Sequence, residues 1–153
     1  MLRELQTVLN KNTDAQYKAD GDLVTGMGVV KDYATKTVSA PATETVDGVF
    51  FVNKERIAKG ANTAFTDLSD YFEDFVNIED GEPVKLITPL TGEAYGTDQF
   101  VATGLVEGVG VSVTGGKWGK ATIATPFIYT GDYSDAGKDL IRIEVRNTAI
   151  TNV

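Results

Sequence analysis

The feature that most limits how this chain can fold is the alternation of short apolar runs with polar residues, each run stopping at glycine or aspartate. In Leu140-Ile-Arg-Ile-Glu-Val145, Ile141, Ile143 and Val145 fall on one side and Arg142 and Glu144 on the other. A two-residue period of this kind marks a strand with one buried face. Val111 and Val113 alternate in the same way with Ser112 and Thr114, and Thr114-Gly-Gly-Lys117 follows as a hairpin turn. Further strands are predicted at Val49–Val52 after an Asp-Gly turn, at Thr35–Ala40, at Pro83–Thr88, at Gln99–Thr103, at Trp118–Ile123, at Phe127–Thr130 and at Asp139–Val145. Gly26 and Gly28 inside Leu23–Val30 indicate a bulge or a close backbone approach. Glu79-Asp-Gly-Glu82 reads as a hairpin turn between a strand through Val76 and Ile78 and the strand at Pro83. Gly131–Gly137 reads as a longer surface loop.

Two segments depart from this texture. Leu2, Leu5, Val8 and Leu9 recur at helical spacing before the chain turns polar through Asp22. Residues 1–22 are therefore expected to form an N-terminal arm or short helix, lying either on its own domain or on a neighbouring subunit. Phe65, Leu68, Phe72 and Phe75 fit one helical face, which predicts a short internal helix near Thr66–Phe72. The expected fold is mainly β: one β-sandwich or small β-barrel over residues 23–153. A chain of 153 residues is long enough for a core of that kind.

The side-chain inventory narrows function. There is no cysteine and no histidine. Thiolate chemistry and a Ser-His-Asp triad are thereby excluded, and the usual zinc ligand sets with them. The formal net charge is −8, which disfavours nucleic-acid backbones and anionic membranes as partners. No apolar run reaches the length of a membrane span or a secretory h-region. Val111-Ser-Val-Thr-Gly-Gly-Lys117 ends like a phosphate loop. However, it lacks the first glycine, carries Trp118 in place of the magnesium-binding hydroxyl, and sits between strands. Asp132, Ser134, Asp135 and Asp139 resemble a calcium loop, but Ala136 and Ile143 occupy two ligand positions, so solvated turn acids are the better reading. The acids at Glu73, Asp74, Glu79, Asp80 and Glu82 have no spacing that fixes a catalytic pair. The expectation is a non-enzymatic chain with no cofactor and no metal. Its candidate contact residues are Leu2, Leu5, Val8 and Leu9, with Tyr95, Trp118, Tyr129 and Tyr133 as interface aromatics.

Asp80-Gly-Glu-Pro-Val-Lys-Leu-Ile87, Thr91-Gly-Glu-Ala-Tyr-Gly-Thr97 and Gly115-Gly-Lys-Trp-Gly-Lys120 carry a resemblance to small virion proteins of tailed bacteriophages, above all the head decoration or cement proteins. Those proteins are short, acidic, cysteine-poor and β-rich, with an N-terminal arm and a Gly-Thr turn between strands. The resemblance implies a virion protein made in the host cytoplasm, binding the major capsid protein on the outside of an assembled shell. It also implies a homo-oligomer, with a trimer favoured. A tail-tube or head–tail connector component has a similar texture. From another class, a carbohydrate-binding module could use Tyr95, Trp118, Tyr129 or Tyr133 as a sugar platform.

Overall fold

The computed structural model describes residues 1–6, 14–54 and 76–152. The predicted helix near Thr66–Phe72 and the contact residues Val8 and Leu9 lie outside these residues. Every element within them is a strand: β1 (Leu2–Gln6), β2 (Asp14–Ala19), β3 (Leu23–Val24), β4 (Gly28–Asp32), β5 (Thr37–Ser39), β6 (Val49–Asn53), β7 (Asn77–Ile78), β8 (Pro83–Ile87), β9 (Ala94–Thr97), β10 (Val111–Thr114), β11 (Lys117–Lys120), β12 (Thr125–Asp135) and β13 (Lys138–Ile150). The mainly β fold read from the alternation is the observed one.

Two bodies share a wall. Strands β2, β5, β4, β6 and β8 close into a small barrel, in which β2 and β5 run parallel and the other pairings are antiparallel. Against it lies an antiparallel sheet in the order β1-β9-β13-β12, with the β10–β11 hairpin beside it. The shared wall follows from the two-residue period of β6 and β8. Val52, Val84 and Leu86 enter the barrel core, whereas Val49, Phe51 and Ile87 enter the second core. Gly28 lets the bodies meet. A Cβ there would sit 2.5 Å from a Val113 methyl, and the Gly28 N–H donates to the Gly116 carbonyl at 2.9 Å. The expected close approach at this glycine is thus seen.

Several expectations need correction. Leu2–Gln6 is a strand, paired along β9 from Leu2↔Thr97 to Gln6↔Ala94, and Asp14–Ala19 is a barrel stave. The described residues of the first segment are therefore strands built into both bodies, where a short helix or an arm was expected. Along Leu2–Gln6, cross-strand pairing with β9 outweighs the propensity of a marginal helix.

Thr91–Thr97, which the resemblance reads as containing a turn, turns at Thr91–Gly92, where the Glu93 N–H donates to the Leu90 carbonyl at 3.1 Å, and then supplies β9 (Ala94–Thr97), a central strand with all four residues buried. Such a strand has no reason to alternate. Gln99–Thr103 is not a strand and keeps one bridge, Phe100↔Trp118. Glu79–Glu82 does turn, closed by the Glu82 N–H on the Glu79 carbonyl at 3.0 Å. The flanking strands do not pair with each other: β7 joins β3, and β8 joins β2 and β6.

The expected loop at Gly131–Gly137 is the end of a long hairpin whose register runs down to Asp135↔Lys138. Ala136 (φ 49°) and Gly137 (φ 79°) close it in two residues. Two successive left-handed residues match the twist of the strands, so no longer loop is needed.

Candidate functional site

Three of the four aromatics expected at an interface are core residues. Tyr95 and Trp118 are 0% exposed and Tyr129 is 6% exposed. Trp118 stacks on Phe51 at 4.8 Å between centroids and meets Phe127 edge-on at 5.0 Å, and Phe51 stacks on Tyr95 at 4.5 Å. The reason is geometric: all four rings come from strands that face the second core, where large flat side chains fill the gap between sheet and barrel. The Tyr95 hydroxyl donates to the buried Glu93 carboxylate, which also accepts the Leu90 N–H at 2.9 Å. Burial first, and that carboxylate second, push the Tyr95 phenol far above its ordinary range. Burial and the Asp132 carboxylate push Tyr129 up to about 12.

Tyr133 is half-buried, with its hydroxyl end over Gly96. A Cβ on Gly96 would lie 1.6 Å from that oxygen, so the glycine provides the slot for the ring. The hairpin end is tied to β1 by Arg3, whose Nε donates to the Asp135 carboxylate at 2.6 Å. Asp132, Ser134, Asp135 and Asp139 therefore sit on two strands and not around a calcium loop.

Among the expected apolar contacts, Leu2 is half-buried against the second core, and Leu5 is 40% exposed on the outer strand of the sheet. Met1 is buried. Its ammonium donates to the Thr25 carbonyl at 3.2 Å and pairs with Asp98.

Sequence reasoning missed the surface that carries exposed apolar groups on a fixed backbone. The 98–110 connection between β9 and β10 is irregular but held at many points. The Val101 N–H donates to the Trp118 carbonyl at 2.8 Å, and the Trp118 N–H donates to Gln99 at 3.0 Å. Internal turns close at Leu105 on Ala102 and at Val109 on Val106, and the Gly108 N–H donates to Tyr129 at 2.9 Å. The Asn152 side chain accepts from the Gly110 N–H and donates to the carbonyls of Gly110 and Ala121, each at 2.8 Å. Phe100 and Leu105 pack inward on the second core. Val101 and Val106 point out and are 47% and 66% exposed. The glycines at 104, 108 and 110 were the available signal that this run was a structured loop and not a strand.

A second missed surface is the β4–β5 turn, where Tyr33 is 67% exposed. Asp32 shapes this turn by accepting the Ala34 and Thr35 N–H groups at 2.8 and 3.3 Å, and those donors hold its carboxyl below the usual range. Asp14 is held low chiefly by Lys31, whose Nζ is 2.6 Å away.

On the seam between the bodies, the Glu44 carboxylate accepts from the Thr122 hydroxyl, from the Ser112 hydroxyl at 2.7 Å and from the Thr122 N–H at 2.7 Å. The Thr122 hydroxyl is the largest cause of its lowered pKa, with Ser112 and the backbone adding to it.

Comparison with protein families, with characterised proteins and with solved structures finds no match.

Proposed function

We propose that this chain is a non-enzymatic virion structural protein that binds and stabilises an assembled phage capsid. Its partner is the major capsid protein, and it acts as a homo-oligomer, with a trimer favoured. The observation that carries the reading is the 98–110 connection, which offers Val101 and Val106 to a partner on a backbone already fixed by Trp118, Tyr129 and Asn152. A loop ordered before contact loses little entropy on docking, so exposed apolar side chains on it contribute to affinity efficiently. A protein that binds only the assembled lattice stabilises that lattice by mass action and needs no catalyst. The carbohydrate-binding reading has lost its platform, because Tyr95, Trp118 and Tyr129 lie in the core.

The test is co-sedimentation with heads that lack this chain, using point variants. Deleting residues 1–22 would remove β1 and the stave β2 and would unfold the domain under test. Saturable binding is expected, and Val101→Asp with Val106→Asp should weaken it by about a hundredfold, the order expected of two central apolar contacts. Binding to tails or connectors instead of heads would move the protein to that part of the virion. Binding to neither would sink the reading.

A further inference from the structure

We propose that the β4–β5 turn is a second docking point, specific for an acidic protein surface, with Tyr33, Lys18 and Lys36 as the contact groups. The proposal rests on the capsid-binding reading and names the chemistry of the partner surface. A chain of net charge −8 is repelled at long range by an acidic partner and needs a local positive spot to dock on one.

The turn supplies that spot. Tyr33 is the one exposed aromatic ring among the described residues, and it is held edge-on to Tyr17 at 6.4 Å and 87°. Lys36 lies over the same Tyr17 ring, 5.6 Å from its centroid. Lys18 is on the neighbouring strand, and its N–H donates to the Lys36 carbonyl at 3.1 Å. Both lysines are exposed. The nearby charges are already committed. Lys31 is paired with Asp14 and sits 4.5 and 4.3 Å from the Tyr17 and Phe50 ring centroids. Asp32 is turned back onto its own backbone. At the tip of the turn the exposed groups are one phenol ring and two ammoniums, and the Asp20 carboxylate is exposed farther along, two residues past Lys18.

The backbone gives an independent pointer. Lys36 has φ 58°, a left-handed conformation that glycine or asparagine fills without strain. In that conformation Lys36 keeps its ammonium over the Tyr17 ring and within the field of Asp14, which fixes a positive charge at the turn where a partner surface would meet it. An acidic protein surface suits the trio better than a nucleic acid, because it combines carboxylates with an apolar hollow for the ring and lacks the dense phosphate charge that an acidic chain resists.

The experiment compares wild type, Tyr33→Ser, Lys18→Glu with Lys36→Glu, and Lys36→Gly for binding to heads lacking the chain, with thermal unfolding of each variant as a control. Tyr33→Ser and the double charge reversal should each weaken binding by about tenfold or more, and the reversal should also flatten the loss of affinity between about 0.01 and 1 M salt. Lys36→Gly should raise the melting temperature by about 2–4 °C while weakening binding, which separates contact from fold. Wild-type affinity in all three variants overturns the proposal and leaves the capsid reading standing. Lys36→Gly that is more stable and binds as wild type removes Lys36 and the strain argument with it. Failure of the wild type to bind any head overturns both. Tighter retention on duplex DNA than on heads overturns the acidic-protein assignment.

Discussion

The barrel and the sheet-side body are filled differently. The barrel core is mostly aliphatic, with Val29, Val38, Val52, Val84 and Leu86 alongside Leu23, Ile78 and Tyr17. The second core is built on the rings of Phe51, Tyr95, Trp118 and Phe127. Five short staves leave a narrow interior that branched aliphatic side chains can fill. A sheet lying across a barrel wall leaves a wider gap, which flat rings bridge. The difference shows where sequence specificity sits. Aliphatic fillers are exchangeable at modest cost, whereas a stack of rings with set angles tolerates little change.

The strongest way to break this comparison is Trp118→Ala. It removes the ring between Phe51 and Phe127 and should cost about 3–5 kcal/mol, read as a lower urea midpoint. A smaller loss than that of any barrel substitution would mean the stack is not the organising element. Gly96→Ala comes next, since its methyl must displace the Tyr133 ring. The expected cost is about 2 kcal/mol, within the range for overpacking. Tyr133→Leu in the same chain should recover part of it, and strict additivity of the two would show that the slot has no role.

Val38→Ala tests the barrel. Two methyl equivalents at about 0.8 kcal/mol each give about 1.6 kcal/mol. Because β6 and β8 contribute to both cores, Val38→Ala and Trp118→Ala should each shift one common unfolding transition. Two separate transitions would show that the shared wall does not couple the bodies.

The smallest effect is expected at Glu44, which bridges the seam. Its carboxyl pKa is lowered in the folded chain from an ordinary value of 4.5. It therefore adds stability above that value, and this contribution is lost as pH falls through the lower folded value. Glu44→Gln should cost under about 1 kcal/mol near neutral pH, because water and salt reach the group. The gap to wild type should close on acidification. A gap that widens below pH 4.5 would reverse the sign and discard the assignment.

What could be read from the sequence depended on how each segment is buried. Half-buried strands announced themselves: the inner part of β13 falls where the alternation placed it, and the Gly115–Gly116 turn has the positive φ angles, 57° and 79°, that the hairpin reading required. On either side of that turn, β10 falls where it was expected but with Ser112 buried as well, and β11 ends at Lys120 where a strand to Ile123 was expected. Fully buried β9 was missed, because both its faces are covered and its small residues make room for neighbours such as Tyr133. The candidate surface was missed for the opposite reason. Val101 and Val106 are apolar residues on the outside, and a rule that sends apolar residues inward placed Val101 in a strand at Gln99–Thr103 and gave Val106 no role.

The sequence by itself determined the β class, most strand positions and the exclusion of histidine and cysteine chemistry, since these depend on local period and on side-chain inventory. Only the tertiary structure decided which aromatic rings are core, that the first residues are staves and edges of the fold, and which valines face out. Those outcomes depend on pairings between residues far apart in the chain, such as Leu2 with Thr97 and Phe51 with Trp118. Such pairings are set by how the barrel and the sheet fill their shared space, and no local period encodes them.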